Sequence, residues 1–253
     1  MAKASKEKKK MKKPSTLVTW LLGLLLALTL AAILNLEVLI VRDVQVYGNE
    51  TVATEDIVGM AGIALGENIF KVNLDAVKAS IEENPYLVVD HIGYKLPDKI
   101  SIVLHERKAR AVLEYLSSYI LIDEEGTLLE LKNKGEEVPE LLVKGVEVVS
   151  FTTGKKAELS NPYQMEACGM VLSEFYTQNA QELISEMDLS NPDDITLKTT
   201  AGIAVRFGQA KDVEKKVTWV RTLIPQLQAE GKVGTLDVTA AETGASFREE
   251  PVS

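Results

Sequence analysis

The feature that most constrains this chain is an uncharged run of eighteen residues, Leu17 to Leu34, with eight Leu between Leu21 and Leu34. A helix rising about 1.5 Å per residue over that length covers most of a hydrocarbon layer of roughly 30 Å. Trp20 sits near its start, where an interfacial aromatic belongs. Seven Lys between Lys3 and Lys13 precede the run and only Arg42 follows closely, so the excess of positive charge predicts an N-terminus inside the cell and an exported body. The expected order is a cytoplasmic tail over 1–16 and a single transmembrane helix over 17–37. A cleaved signal peptide is the competing reading, but its apolar core runs to about 7–15 residues and ends at a small-x-small site. Here the run is longer, the nearest small pair is Ala31-Ala32, and no Cys follows to accept lipid.

Charge divides at the same place. Residues 1–34 carry seven Lys and one Glu, a net +6, whereas the remainder carries 21 basic and 36 acidic residues, a net −15. A body this acidic repels nucleic acid phosphates, which leaves no nucleic-acid partner expected. Cys168 is the only cysteine, so the body holds no internal disulfide. Its spacing to Val171, Leu172 and Phe175 places it on a helical apolar stripe, in a core rather than at a nucleophile's post.

Over 38–108 the pattern is strand, helix, helix, strand, strand. Val44 and Val46 alternate with Asp43 and Gln45 in a strand spanning Val38 to Tyr47, which ends at Gly48-Asn49. Thr54 is the expected N-cap of a short helix with Glu55 and Asp56 in its first turn. Asn73 caps a second, whose Leu74, Val77 and Ile81 share a face, and Asn84-Pro85 stops it. Leu87 to Tyr94 and Ile100 to Leu104 then flank the turn Leu96-Pro97-Asp98-Lys99 and form a hairpin, with the helices covering one sheet face.

From 109 to 249 the pattern is mainly β. Ala111–Tyr115, Tyr119–Ile122 and Thr127–Leu131 form a meander, and a helix opens at Asn161-Pro162 and runs to about Gln178. Strands resume at Ile195–Leu197 and Ile203–Phe207. An amphipathic helix follows on Val213, Val217, Val220, Ile224 and Leu227, with Pro225 near its end and Gly231 beyond it. The chain closes with a strand in Gly234–Thr239, a further one around Ser246-Phe247, and a tail over 250–253; no internal repeat is visible.

Several motifs, in order, carry a resemblance: Val44-Gln45-Val46-Tyr47-Gly48-Asn49, Asn84-Pro85, and Leu96-Pro97 through Ile100-x-Ile102-x-Leu104-x-Glu106-Arg107. They continue with Ile122-Asp123-x-x-Gly126, Val205-Arg206-Phe207-Gly208 and Leu236-Asp237-Val238. Over about 200 residues the chain resembles the FtsQ/DivIB family of bacterial division proteins, departing where an Arg often follows the final Asp-apolar pair and Thr239 stands here. The resemblance implies an α+β fold: an N-terminal transmembrane helix, a POTRA domain (β-α-α-β-β), then a mainly β domain with flanking helices. It also implies a non-catalytic, septum-located scaffold that binds FtsB/DivIC-like and FtsL-like partners and helps regulate septal wall synthesis.

Enzyme chemistry finds little support. Two His, His91 and His105, lie on the strands expected to pair, but a metal site needs three or four ligands and no third is evident. The acid pairs Glu82-Glu83, Asp123-Glu124-Glu125, Glu136-Glu137 and Asp193-Asp194 sit at turns and helix ends, where solvated carboxylates are the norm. No phosphate-cradling or nucleophile-elbow glycine motif occurs, and no catalytic residue, metal or cofactor is expected. Asp123 and Gly126 read as turn residues. A tandem POTRA assembly factor would lead into a barrel of about eight or more strands, which is not seen; a membrane-anchored sensor remains an alternative.

The candidate site is the C-terminal strand region. A terminal strand leaves one edge of backbone donors and acceptors open, able to take an extended partner segment. The expected contact residues are Leu236, Val238, Ala240, Glu242, Ser246 and Phe247.

Overall fold

The structure, a computed structural model, describes residues 16–34, 39–136, 138 and 141–250. Helix α1 (Thr16–Leu34) has 19 residues, with no acidic residue in its first turn and no basic residue in its last. Side-chain exposure is described without a break only from Thr19 to Ala31, and among the described residues no helix is long and apolar enough to cross a membrane. Residues 35–37 of the expected span and 1–15 of the tail lie outside the described residues. The chain divides into two compact units, residues 1–79 with 90–104, and residues 80–89 with 105–253.

The smaller unit holds β1 (Asp43–Tyr47) and most of β2 (Leu87–Lys95) and β3 (Lys99–Glu106), which form a sheet in the order β1-β3-β2. Strand β1 is shorter than the Val38–Tyr47 expected and runs parallel to β3, with Val46 opposite Ile102. Helices α2 (Thr54–Ala61) and α3 (Leu74–Ile81) bury Ile57, Ala61 and Val77 together with Ile100, Ile102 and Leu104. Asn73 caps α3 as expected, its Oδ1 accepting from the Ala76 N–H at 3.1 Å. Thr54 is not a cap: Ala53 occupies that position without a side-chain bond, and the Thr54 hydroxyl accepts from the Asn49 amide at 3.2 Å. Gly48 has φ +93°, and a Cβ there would overlap the Leu104 carbonyl oxygen, so both the turn and the close approach need glycine.

The larger unit holds a nine-stranded sheet. Its strands are β4 (Ala111–Tyr115), β5 (Ser118–Ile122), β6 (Leu128–Asn133), β7 (Leu141–Lys144), β10 (Ile184–Asp188), β11 (Ile195–Thr199), β12 (Ala204–Gly208), β13 (Gly234–Asp237) and β14 (Ser246–Glu249). The order is β14-β13-β12-β11-β10-β7-β4-β5-β6, and β8 (Val148–Ser150) with β9 (Glu158–Leu159) forms a separate ribbon. The meander β4-β5-β6 is as expected. Strands β7 and β10 were not, and they pair in parallel with each other, joining the two halves of the sheet.

Helices α4 (Pro162–Thr177) and α5 (Val213–Ala229) cover one face. Cys168, Val171, Phe175, Val217, Val220 and Ile224 form one core with Leu197, Val205, Phe207, Leu236 and Val238. Asn161 caps α4 by accepting from the Tyr163 N–H at 3.1 Å. Cross-strand ion pairs join half-buried Glu186 to Lys144 at 2.8 Å and to the exposed Lys198 at 3.5 Å. The α+β architecture expected for the body is therefore present.

Candidate partner-binding edge

The two ends of the large sheet differ. At the β6 end, the segment after β8 folds back on the strand: Leu128 donates to the Lys155 C=O at 2.9 Å, and Gly154 donates to the Leu128 C=O at 2.8 Å. The Asn133 N–H further along is taken by Glu136 Oε1 at 3.0 Å. At the other end, among the described residues, nothing pairs with the outer side of β14.

The register identifies which backbone groups that outer side presents. Strand β14 runs antiparallel to β13, with Asp237 opposite Ser246 and Leu236 opposite Phe247. The Glu250 N–H donates to the Val233 C=O at 3.0 Å, so residues 250, 248 and 246 direct their backbone toward β13. By the same alternation Phe247 and Glu249 direct theirs outward. The Phe247 side chain is half-buried against the core, and Ser246 and Arg248 are exposed. Gly234 sets the close approach of the two strands, because at φ +155° a Cβ there would overlap the Arg248 carbonyl oxygen.

The six residues singled out from sequence separate into three groups. Leu236 and Val238 are fully buried, so their side chains belong to the core and cannot meet a partner directly. Ala240 is not in a strand. It lies in the turn between β13 and β14, where its C=O accepts from the N–H groups of Thr243 at 2.9 Å and Gly244 at 3.2 Å. That turn is pinned to α5, since Trp219 Nε1 donates to the Ala241 C=O at 3.1 Å and Lys215 meets Glu242 at 2.6 Å. The Lys215 ammonium holds the Glu242 carboxyl below its usual range. Only Ser246 and Phe247 lie on the open strand.

Sequence reasoning missed Arg248 and Glu249, whose alternation with Phe247 was the available signal. Strand β13 ends at Asp237. Its Oδ1 accepts from the Thr239 N–H at 2.9 Å and from the Thr239 hydroxyl at 2.6 Å, ending β13 in a local turn. Burial pushes the Asp237 carboxyl up, but those bonds together with Arg206 and Arg248 outweigh it and hold it below the ordinary aspartate range. Arg206 lies 3.7 Å from Asp237 and 3.2 Å from Asp194.

Asp123 has more than a turn to hold. It is 2% exposed and paired with the Arg107 guanidinium, and its other oxygen accepts from the N–H groups of Glu125 and Thr127 at 2.9 and 2.7 Å. No sequence signal distinguishes this buried ion pair from an ordinary aspartate turn. Among the described residues no three His, Cys, Asp or Glu side chains are grouped as metal ligands would be.

Comparison with known proteins places this geometry in a family. Residues 39–107 match the family model described as POTRA domain, FtsQ-type, and residues 111–239 match the one described as Cell division protein FtsQ/DivIB, C-terminal. The second match stops before Ala240, so β14 lies beyond it. The chain is 28% identical over 200 residues to Cell division protein FtsQ of Syntrophotalea carbinolica, covering 78% of this chain and 68% of that one. It is 26% identical over 242 residues to Cell division protein DivIB of Clostridium botulinum, covering 94% and 91%. To Cell division protein FtsQ of Geobacter sp. it is 29% identical over 195 residues, covering 74% and 69%. The two family models between them take in most of the chain after residue 38, and the chain belongs to the FtsQ/DivIB family of cell division proteins.

Proposed function

We propose that this protein is a non-catalytic division scaffold held in the cell membrane by α1. In this reading residues 1–16 are cytoplasmic and 17–37 span the membrane, while a POTRA domain over 38–108 and a β domain over 109–249 face outward at the septum. Its task is to bind FtsB/DivIC-like and FtsL-like partners and so help assemble or regulate septal wall synthesis. The uncharged run from Leu17 and the Lys-rich tail before it support the topology.

The observation that carries the binding role is the open outer side of β14. An extended partner segment laid beside it completes the backbone bonds of Phe247 and Glu249, and Phe247 offers a half-buried apolar anchor at the strand's rim. Ser246 and Arg248 then select among partners through their side chains on the exposed face.

Proline substitutions separate the two sides of this strand. Glu249→Pro removes an outward donor and leaves the β13 ladder intact, a position where an edge strand tolerates Pro, whereas Arg248→Pro breaks an inward bond. In the full-length chain, Glu249→Pro should fold normally and lose the FtsB/DivIC-like partner in co-purification, and Phe247→Ala should weaken binding by roughly 1–3 kcal/mol. Undiminished affinity in a folded Glu249→Pro, Phe247→Ala double variant would place the partner elsewhere.

A further inference from the structure

The exposed apolar side chains of the smaller unit gather where the chain arrives from α1. Beyond α1, the described residues of that unit expose six large apolar side chains. Four of them, Leu65, Phe70, Tyr94 and Leu96, stand at one end of the three-stranded sheet, while Tyr47 and Val103 lie farther along β1 and β3. The register defines that end: β1 and β3 start together, with Asp43 opposite Lys99, and the turn before Lys99 carries Leu96.

Backbone bonds fix the arrangement. Val41 donates to the Glu67 C=O and accepts from the Gly66 N–H, both at 2.8 Å, and the Arg42 N–H donates to the Asp98 C=O at 2.8 Å. The arriving chain is thus held between two turns, with Leu65 on one and Leu96 on the other, 66% and 59% exposed. Phe70 follows in the 3-10 turn Ile69–Lys71, which Asn68 opens by accepting from the Phe70 N–H at 3.0 Å. Ile69 is buried there and Phe70 is exposed, in an edge contact with Tyr94 at 5.5 Å between ring centroids. Seven peptide steps join Leu34 to Val41, so at roughly 3.6 Å per residue Val41 stays within about 25 Å of the end of α1. Charge follows the same pattern. Segments 40–43, 65–71 and 94–99 hold Arg42, Lys71, Lys95 and Lys99 against Asp43, Glu67 and Asp98, a net +1, whereas residues 35–253 together carry a net −15.

We propose that this end of the smaller unit docks on the membrane surface, with Leu65, Phe70 and Leu96 entering the headgroup boundary and Tyr94, Lys71 and Lys95 meeting the headgroups. The inference rests on the reading of α1 as a membrane span. Leucines raised singly on turns, beside an aromatic pair and rimmed by Lys, have the composition of an interfacial anchor and form no groove for a folded partner. Anionic headgroups attract this end while they repel the acidic remainder. The tether to α1 supplies the effective concentration that so small a patch lacks alone.

The test uses the full-length chain reconstituted in vesicles of phosphatidylcholine and phosphatidylglycerol. Leu65→Cys carries an NBD fluorophore, while Cys168 is buried and stays unlabelled, and Thr51→Cys beyond the other end of β1 is the reference. Nitroxide placed on the acyl chains near the headgroups should quench the Leu65 probe at least about twofold more than the Thr51 probe. Adding Leu96→Asp, at an exposed turn position, should remove most of that difference. Alkaline carbonate extraction of the same vesicles reports on α1 separately. A chain retained in the vesicles with equal quenching at the two probes overturns the docking and leaves the span standing; a chain released by carbonate overturns both. A Leu65 probe untouched by the lipid nitroxide, but shifted to the blue when the protein is concentrated or the division partner is added, assigns the patch to a second copy or to that partner and overturns the proposal. Should Leu96→Asp fail to fold, the comparison of the two probes still decides.

Discussion

Replacing Asp123 by Ala tests how much of the larger unit hangs on one buried carboxylate. In the structure Asp123 Oδ1 accepts two N–H groups, and that of Thr127 is buried. Its Oδ2 pairs with Arg107, whose side chain is 24% exposed. Truncation orphans the Thr127 N–H, at about 1–3 kcal/mol. It also leaves the Arg107 cation with weaker company, namely Thr127 Oγ1 at 3.3 Å and Glu125 at 3.7 Å. Removing one partner of a fully buried pair costs about 3–5 kcal/mol, and the remaining contacts and partial exposure of Arg107 place this case near the lower bound, about 3 kcal/mol in all. Asp123→Asn keeps the Oδ1 acceptor for the two N–H groups but turns an NH2 donor toward the Arg107 guanidinium, so it loses the charge-assisted bond to Arg107 and should cost about 2 kcal/mol.

The assay is urea unfolding followed by Trp219 fluorescence. The chain has two Trp, so a Trp20→Phe background isolates the signal of the larger unit. With a slope of about 2 kcal/mol/M, Asp123→Ala should lower the midpoint by about 1.5 M and Asp123→Asn by about 1 M. A shift under about 0.3 M for Ala would refute the reasoning. Equal shifts for Ala and Asn would assign the cost to the ion pair and not to the orphaned N–H. Arg107→Met in a double-mutant cycle measures the pair directly, and a coupling of about 1 kcal/mol or more is expected.

Three further outcomes are expected. Leu104, 2% exposed in the smaller unit, becomes an unpaired buried charge as Leu104→Asp, which should destabilise that unit by roughly 3–5 kcal/mol; an unshifted melting curve would place its inner face elsewhere. Burial pushes the Cys168 thiol up to about 12, so it should resist iodoacetamide at pH 8 in the native chain and react once urea unfolds it, and rapid native labelling would contradict its core position. The Ser190 hydroxyl and N–H hold Asp188 below the ordinary aspartate range, and Asp237 is lowered as well. With folded-state values depressed, their contribution is present above about pH 4 and lost as pH falls below it, so Ser190→Ala with Thr239→Val should flatten the acid limb of the urea midpoint measured from pH 5 to 2.

Much of the fold is legible in local chemistry. Asn73 and Asn161 announce helix starts because an Asn side chain outside a helix reaches its first free N–H groups, and both do so here. The alternation in Ile100–Leu104 gives a strand and its buried face, because successive side chains point oppositely whatever the neighbours are. Thr54 shows the limit: a residue of capping type begins α2 without capping it, because the helix starts one residue early and Ala53 holds the cap position.

Strands β7 and β10 show no alternation, since Leu141, Leu142 and Val143 are successive apolar residues and Ile184 and Met187 stand three apart, and they are recognisable as strands only by their pairing with each other at the sheet's centre. The candidate site divides the same way. The sequence by itself determined an apolar N-terminal run, a charge reversal after it, two sets of alternating segments and a terminal strand region. Only the tertiary structure decided that Leu236 and Val238 face the core, that Ala240 sits in a pinned turn, that Asp123 is buried against Arg107, and that β14 is the open edge. Each of these depends on which segment lies alongside, and a residue's own spacing holds no record of a partner many positions away in the chain.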